Sequence, residues 1–94
     1  MNKIESTVIL KCKADKIEEF KAAVIEFVND TVKEPGCELF KILQNRDKAD
    51  EFTLWEIFKN QEALDLHMKS EHTKKIFTLG KFEMLSKINQ VEVR

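Results

Sequence analysis

One proline and two glycines in 94 residues leave little material for long irregular loops, so most of the chain should be regular structure. Cysteine is nearly as scarce. Cys12 and Cys37 sit in no metal-ligand or redox spacing, and two thiols make no disulfide framework, so they read as free thiols in a reducing compartment. Neither sign of charge is in excess. Sixteen Lys and Arg against seventeen Asp and Glu give a formal net charge of −1, which argues against nucleic acid or an anionic membrane as a partner. No apolar run approaches the roughly 20 residues that span a bilayer, and no secretory leader is visible, so the expected location is the cytoplasm. The motifs that cradle phosphate, GxxxxGK[ST] and GxGxxG, are missing, as is the GxSxG elbow that presents a nucleophilic serine. An RNA-binding sheet would need stacked aromatics in a basic motif, where this chain has Glu38 and Glu56. No linker, low-complexity tract or repeat divides the sequence, and residues 1–94 read as a single domain.

What is present is strong patterning, with 43% hydrophobic and 35% charged residues. Residues 4–12 alternate, with Ile4, Ser6, Val8, Leu10 and Cys12 on one side, as in a half-buried strand. Asp15, with Glu18 in capping-box spacing, predicts a helix start. The stripe Ile17, Phe20, Val24, Phe27 and Val28 carries that helix to about Lys33, where Pro35-Gly36 ends it. Residues 37–44 and 51–58 form two apolar segments joined by a polar stretch of hairpin length. Asn60 is a candidate N-cap for a second helix with the inner stripe Ala63, Leu64, His67 and Met68. An irregularity at Ser70-Glu71 is followed by further helical turns through residues 76–85, broken around Gly80, and by a final strand over 88–93.

The order β-α-β-β-α-β predicts a ferredoxin-like α+β sandwich, a four-stranded antiparallel sheet with the third strand between the first and second and helices on one face. Ile9, Phe40, Ile42, Trp55 and Ile57 cannot all be covered by two helices. A second copy of the chain is the expected cover, giving a homodimer. In such a sheet the two cysteines are separated by a strand, so no intrachain disulfide is expected.

Function must be read from polar residues in apolar places. Glu56 interrupts the apolar face between Leu54 and Phe58, where a buried carboxylate needs a partner. Cross-strand pairing with Lys or Arg would explain it without any function. His67 lies on the inner stripe of the second helix, either as a core histidine satisfied by backbone or Glu56, or as a pocket-lining acid, base or donor. His72 would point away from His67 on an unbroken helix; it is either a lone exposed histidine or, if the chain kinks at Ser70-Glu71, returned to the pocket. Two histidines and a glutamate are a weak first signature for metal without HExxH or CxxC, and neither a metal nor another cofactor is expected.

Three stretches carry a resemblance. Glu34-Pro35-Gly36-Cys37 followed by Phe40, then Phe52-x-Leu54-x-Glu56-x-Phe58, then Asn60-x-x-Ala63-x-x-x-His67-x-x-Ser70-x-His72, resemble the antibiotic biosynthesis monooxygenase (ABM) family of small dimeric α+β-barrel proteins. The resemblance implies a homodimer packed through helix-free sheet faces and a pocket between helices and sheet. It also implies oxidation of a small aromatic or quinol substrate by O₂ with no metal or flavin. Carried over by position, Glu56, His67 and His72 correspond to the family's recurring polar residues, with His67 as base or hydrogen-bond partner, Glu56 orienting it and His72 a donor at the rim. Phe40, Trp55, Met68 and Phe77 would supply apolar walls, with plain core or dimer interface as the alternative for each. Phe40 and Phe58 stand where relatives carry Tyr, or Trp and Tyr, and the chain has no tyrosine, so a mechanism using a phenolic hydroxyl is not expected. The alternatives are a non-oxidative isomerase of a small carbonyl compound or phosphosugar, and a small-ligand-binding module without catalysis.

Overall fold

A computed structural model describes residues 3–94. The elements run β1 (Ile4–Cys12), α1 (Ile17–Thr31), β2 (Cys37–Gln44), β3 (Glu51–Phe58), α2 (Gln61–Lys69), α3 (Glu71–Leu79) and β4 (Phe82–Gln90). The sheet order is β2-β3-β1-β4 and every neighbouring pair is antiparallel. This is the ferredoxin-like α+β arrangement, with β3 inserted between β1 and β2. Among the described residues no helix is long and apolar enough to cross a membrane.

The alternation in β1 buries Ser6, Val8, Leu10 and Cys12 under the helices, and β3 does the same with Phe52, Leu54, Glu56 and Phe58. From α1, Phe20 and Val24 close over them, with the Phe20 ring 5.0 Å from that of Phe52. Register places Phe40 opposite Glu56 and Ile42 opposite Leu54, so both lie on this covered side, and Phe40 is buried. They were expected to add to an uncovered face and do not. That face carries Ile9, Leu39, Trp55, Ile57 and Ile88 instead, with Trp55 donating its indole N–H to Glu5 Oε2 at 2.9 Å.

Two boundaries differ from the sequence reading. Asp15 does not cap α1: the cap position is Lys16, and no side chain there accepts a backbone N–H. The larger difference is at the C-terminal end. Phe82, Met84 and Leu85, expected in helical turns, belong to β4, and the strand expected over 88–93 begins at Phe82 and ends at Gln90. Gly80 is the reason: at φ 59° it takes the left-handed conformation that closes α3, donating its N–H to the Phe77 carbonyl at 3.2 Å, and the chain leaves extended. A bulge in β4 at Leu85, opposite Ile9 and Leu10 of β1, then shifts the pairing. Lys87 and Asn89 face the helices beyond it as Phe82 and Met84 do before it. This change of parity hides the strand from a period-two reading.

Asn60 and Ser70 behave as their chemistry predicts. The Asn60 side chain accepts the Ala63 N–H at 2.8 Å. Ser70, at φ −70° and ψ 154°, breaks the helical path between α2 and α3 and caps the second of them.

Candidate functional site

Between the helices and the sheet lies a cavity of about 100 Å³ lined by apolar side chains that include Val24, Phe27, Phe40, Leu54, Met68, Ile76 and Phe77. The polar side chains that reach its lining are Glu56, His67, Thr73 and Lys87. The sheet supplies Glu56, the C-terminal half of α2 supplies His67, and the break at Ser70 brings Thr73 of α3 alongside.

Glu56 is only 7% exposed, and its Oε2 accepts the hydroxyl of Ser6, its register partner on β1, at 2.7 Å. A cross-strand serine, not a lysine or arginine, satisfies the carboxylate. The two buried polar residues answer each other.

His67 is 3% exposed and held among aromatic rings, with Phe58, Phe40 and Phe27 centroids at 4.9, 5.4 and 5.6 Å. Glu34 is its carboxylate partner, where Glu56 was expected. His67 Nδ1 lies 2.8 Å from Glu34 Oε2, and His72 Nε2 lies 2.5 Å from the same oxygen. A carboxylate only accepts, so His67 carries its proton on Nδ1 and His72 on Nε2. That leaves His67 Nε2 as the basic nitrogen, with the Thr73 hydroxyl 3.4 Å from both ring nitrogens. Ser70 Oγ donates to the His67 carbonyl at 2.7 Å and lies 2.9 Å from Thr73 Oγ1.

The sequence-predicted residues therefore divide. His67, Glu56, Phe40, Met68 and Phe77 line one cavity. His72 does not line it; it faces a shallow groove with Glu26, Asp30 and Lys75 on the other side of Phe27, and reaches the site only through Glu34. Trp55 is on the opposite, helix-free face and is no wall of the cavity. Glu34 stands in the sequence as the first residue of the Glu34-Pro35-Gly36-Cys37 stretch, with no role assigned to its side chain. Its signal was position: an acidic side chain just before Pro35-Gly36, where the chain turns back toward α2. Its charge is also felt by Cys37, whose thiol is pushed up to about 11, first by burial and then by the Glu34 carboxylate.

Residues 7–79 match the family described as antibiotic biosynthesis monooxygenase. Among curated proteins, the chain is 32% identical over 63 residues to the uncharacterized protein sll1783 of Synechocystis, covering 67% of this chain and 43% of that protein. It is also 32% identical over 68 residues to the uncharacterized protein YjcS of Bacillus subtilis, covering 71% of this chain and 65% of that one. The chain thus spans less than two thirds of the length of either relative. A solved structure of a protein YjcS superimposes with a TM-score of 0.86 at 25% identity, covering 97% of this chain and 99% of that one. A solved antibiotic biosynthesis monooxygenase, 19% identical with a TM-score of 0.83 over 96% of this chain and 99% of its own, shares the fold.

Proposed function

From a chain that belongs to the antibiotic biosynthesis monooxygenase family, and from the His67–Glu34 pair at the wall of an aromatic cavity, we propose a cofactor-independent monooxygenase of a small aromatic or quinol substrate. The observation that carries this reading is the 2.8 Å contact between His67 Nδ1 and Glu34 Oε2, which fixes the tautomer and leaves Nε2 free as a base. In the proposed reaction His67 Nε2 takes the proton of a substrate hydroxyl, and Glu34 stabilises the imidazolium that forms. The electron-rich anion then reduces O₂. One oxygen atom enters the substrate, the other leaves as water, and the substrate supplies the two electrons by passing from the quinol to the quinone level. Phe40, Met68 and Phe77 exclude water and hold a ring. Glu56 is the second polar wall, a hydrogen-bond acceptor for a hydroxyl at the far side of that ring.

A second copy of the chain is proposed as the cover for Ile9, Leu39, Trp55, Ile57 and Ile88, since an apolar sheet face of this extent is more than a monomer usually exposes. Light scattering should return twice 11.0 kDa at micromolar concentration.

The functional test is oxygen uptake with a panel of hydroquinones and naphthoquinols. His67→Ala should lower turnover about 10²–10⁴-fold while the fold is retained. Undiminished turnover in that variant would remove His67 from the mechanism. Ligand binding by NMR with no oxygen uptake across the panel would replace the reading with that of a binding module.

A further inference from the structure

Glu34, His67 and His72 come from a turn, the end of α2 and the start of α3, and their donor atoms all lie within 4.8 Å of one another. We propose that these three residues bind one divalent transition-metal ion of the zinc class, through the Glu34 carboxylate, His67 Nδ1 and His72 Nε2. Two imidazoles and one carboxylate are a donor set suited to zinc, cobalt or nickel, whereas magnesium and calcium favour all-oxygen sites.

The present geometry is close to what such an ion needs. Glu34 Oε2 stands 2.8 Å from His67 Nδ1 and 2.5 Å from His72 Nε2. Metal bonds of about 2.0–2.2 Å place neighbouring donors roughly 3–3.5 Å apart, so the carboxylate must withdraw by less than about 1 Å and the two imidazole nitrogens, within 4.8 Å of each other, must settle to the same spacing. Glu34 does so by rotating its partly exposed side chain on a backbone that stays in place, while His67 is fixed between phenylalanine rings. The Glu34 and His72 side chains are 16% and 20% exposed, which gives an ion a way in and leaves a coordination position for water. No charge is stranded: each imidazole proton now donated to Glu34 moves to the other nitrogen of its ring. The sequence concealed this set because its carboxylate lies 33 residues before His67 and the one weighed from spacing was Glu56.

The ion would occupy the nitrogen whose proton now goes to Glu34 and would place a proton on His67 Nε2, converting a base into a donor. Occupancy therefore works against the chemistry proposed above, and the site is inhibitory with respect to it. The binding itself does not rest on that chemistry.

The test uses the full chain, stripped with a chelator and titrated with zinc or cobalt. Expected are one equivalent of zinc retained after dialysis, cobalt absorption bands of a four- or five-coordinate site, and zinc-induced ¹⁵N shifts at His67 Nδ1 and His72 Nε2. Glu34→Gln and His72→Ala should each weaken zinc binding at least tenfold, with circular dichroism unchanged. Histidine ¹⁵N resonances that do not move at saturating zinc, or equal affinity in Glu34→Gln and His72→Ala, would overturn the site. If either variant misfolds, the histidine shifts of the unmodified chain decide alone. Oxygen uptake plays no part in these measurements, so the metal site and the oxygenase reading stand or fall separately.

Discussion

Gly36 packs directly against Ala63: a Cβ at Gly36 would stand 2.3 Å from the Ala63 Cβ and 3.4 Å from its Cα. The missing methyl lets the turn that carries Glu34 lie flat on α2, one helical turn before His67. The Gly36 carbonyl also accepts the Lys59 N–H at 2.9 Å, so the turn is pinned from both sides.

Gly36→Ala should therefore destabilise the protein by about 1–3 kcal/mol, because both atoms in collision are held by backbone. Thermal unfolding would show this as a fall of roughly 4–8 °C per kcal/mol. Adding Ala63→Gly should recover part of the loss, although that change alone costs about 1 kcal/mol in helix propensity. Two losses that simply add would mean the methyl groups never meet.

Ser6 and Glu56 should behave as a coupled pair. Ser6→Ala withdraws the hydroxyl donated to a buried carboxylate, at a cost of about 1.5–3 kcal/mol. Introducing Glu56→Gln into that background should cost less than it does alone. A double-mutant cycle by urea denaturation measures the difference, and a coupling near zero would show that the hydrogen bond contributes nothing to stability.

Thr31 gives a prediction of the opposite sign. It is fully buried, and among the described residues its Oγ1 has no hydrogen-bond partner. Thr31→Val keeps the branched shape and removes the unpartnered hydroxyl, so stability should rise by about 1–3 kcal/mol. A lower melting temperature would reveal a partner for that hydroxyl.

Cys37 should resist alkylation near neutral pH and react progressively faster up to about pH 11, the value to which its thiol is pushed. Desolvation is the first cause and the Glu34 carboxylate the second, so Glu34→Gln should move the reactivity profile to lower pH. The same shift has a consequence for folding. A thiol raised above its ordinary 9.0 holds its proton more tightly when folded, so its contribution is complete below about pH 9 and is lost as pH rises toward 11. Peptide-resolved mass spectrometry of the alkylated chain separates Cys37 from Cys12.

The elements that repeat simply were legible in the sequence. The stripe of α1, the alternation of β1 and the Asn60 cap each follow from one local rule, and the order of elements then leaves few topologies. What the sequence did not show depends on distance or on broken periods. Glu34 meets His67 only because Gly36 allows the turn to approach α2, and no spacing rule links residues so far apart. Phe82 and Met84 continue an apolar pattern that suits another helical turn, and only the left-handed Gly80 ends it. Trp55 carried two expectations, the uncovered sheet face and a cavity wall, and its parity on β3 puts it on that face, away from the cavity.

The bulge opposite Ile9 and Leu10 makes β4 one residue longer than its partner requires, and the surplus is Leu85, which has no partner between the Ser86 and Met84 pairings. Tolerance to length change along β4 is therefore concentrated at a single position. Removing Leu85 would straighten the strand and leave Phe82, Met84, Lys87 and Asn89 all turned toward the helices. Removing Ile88 instead would carry Asn89 to the outer face and bring Gln90 opposite Ser6. The ladder thus tells two one-residue deletions apart, though they shorten the chain equally.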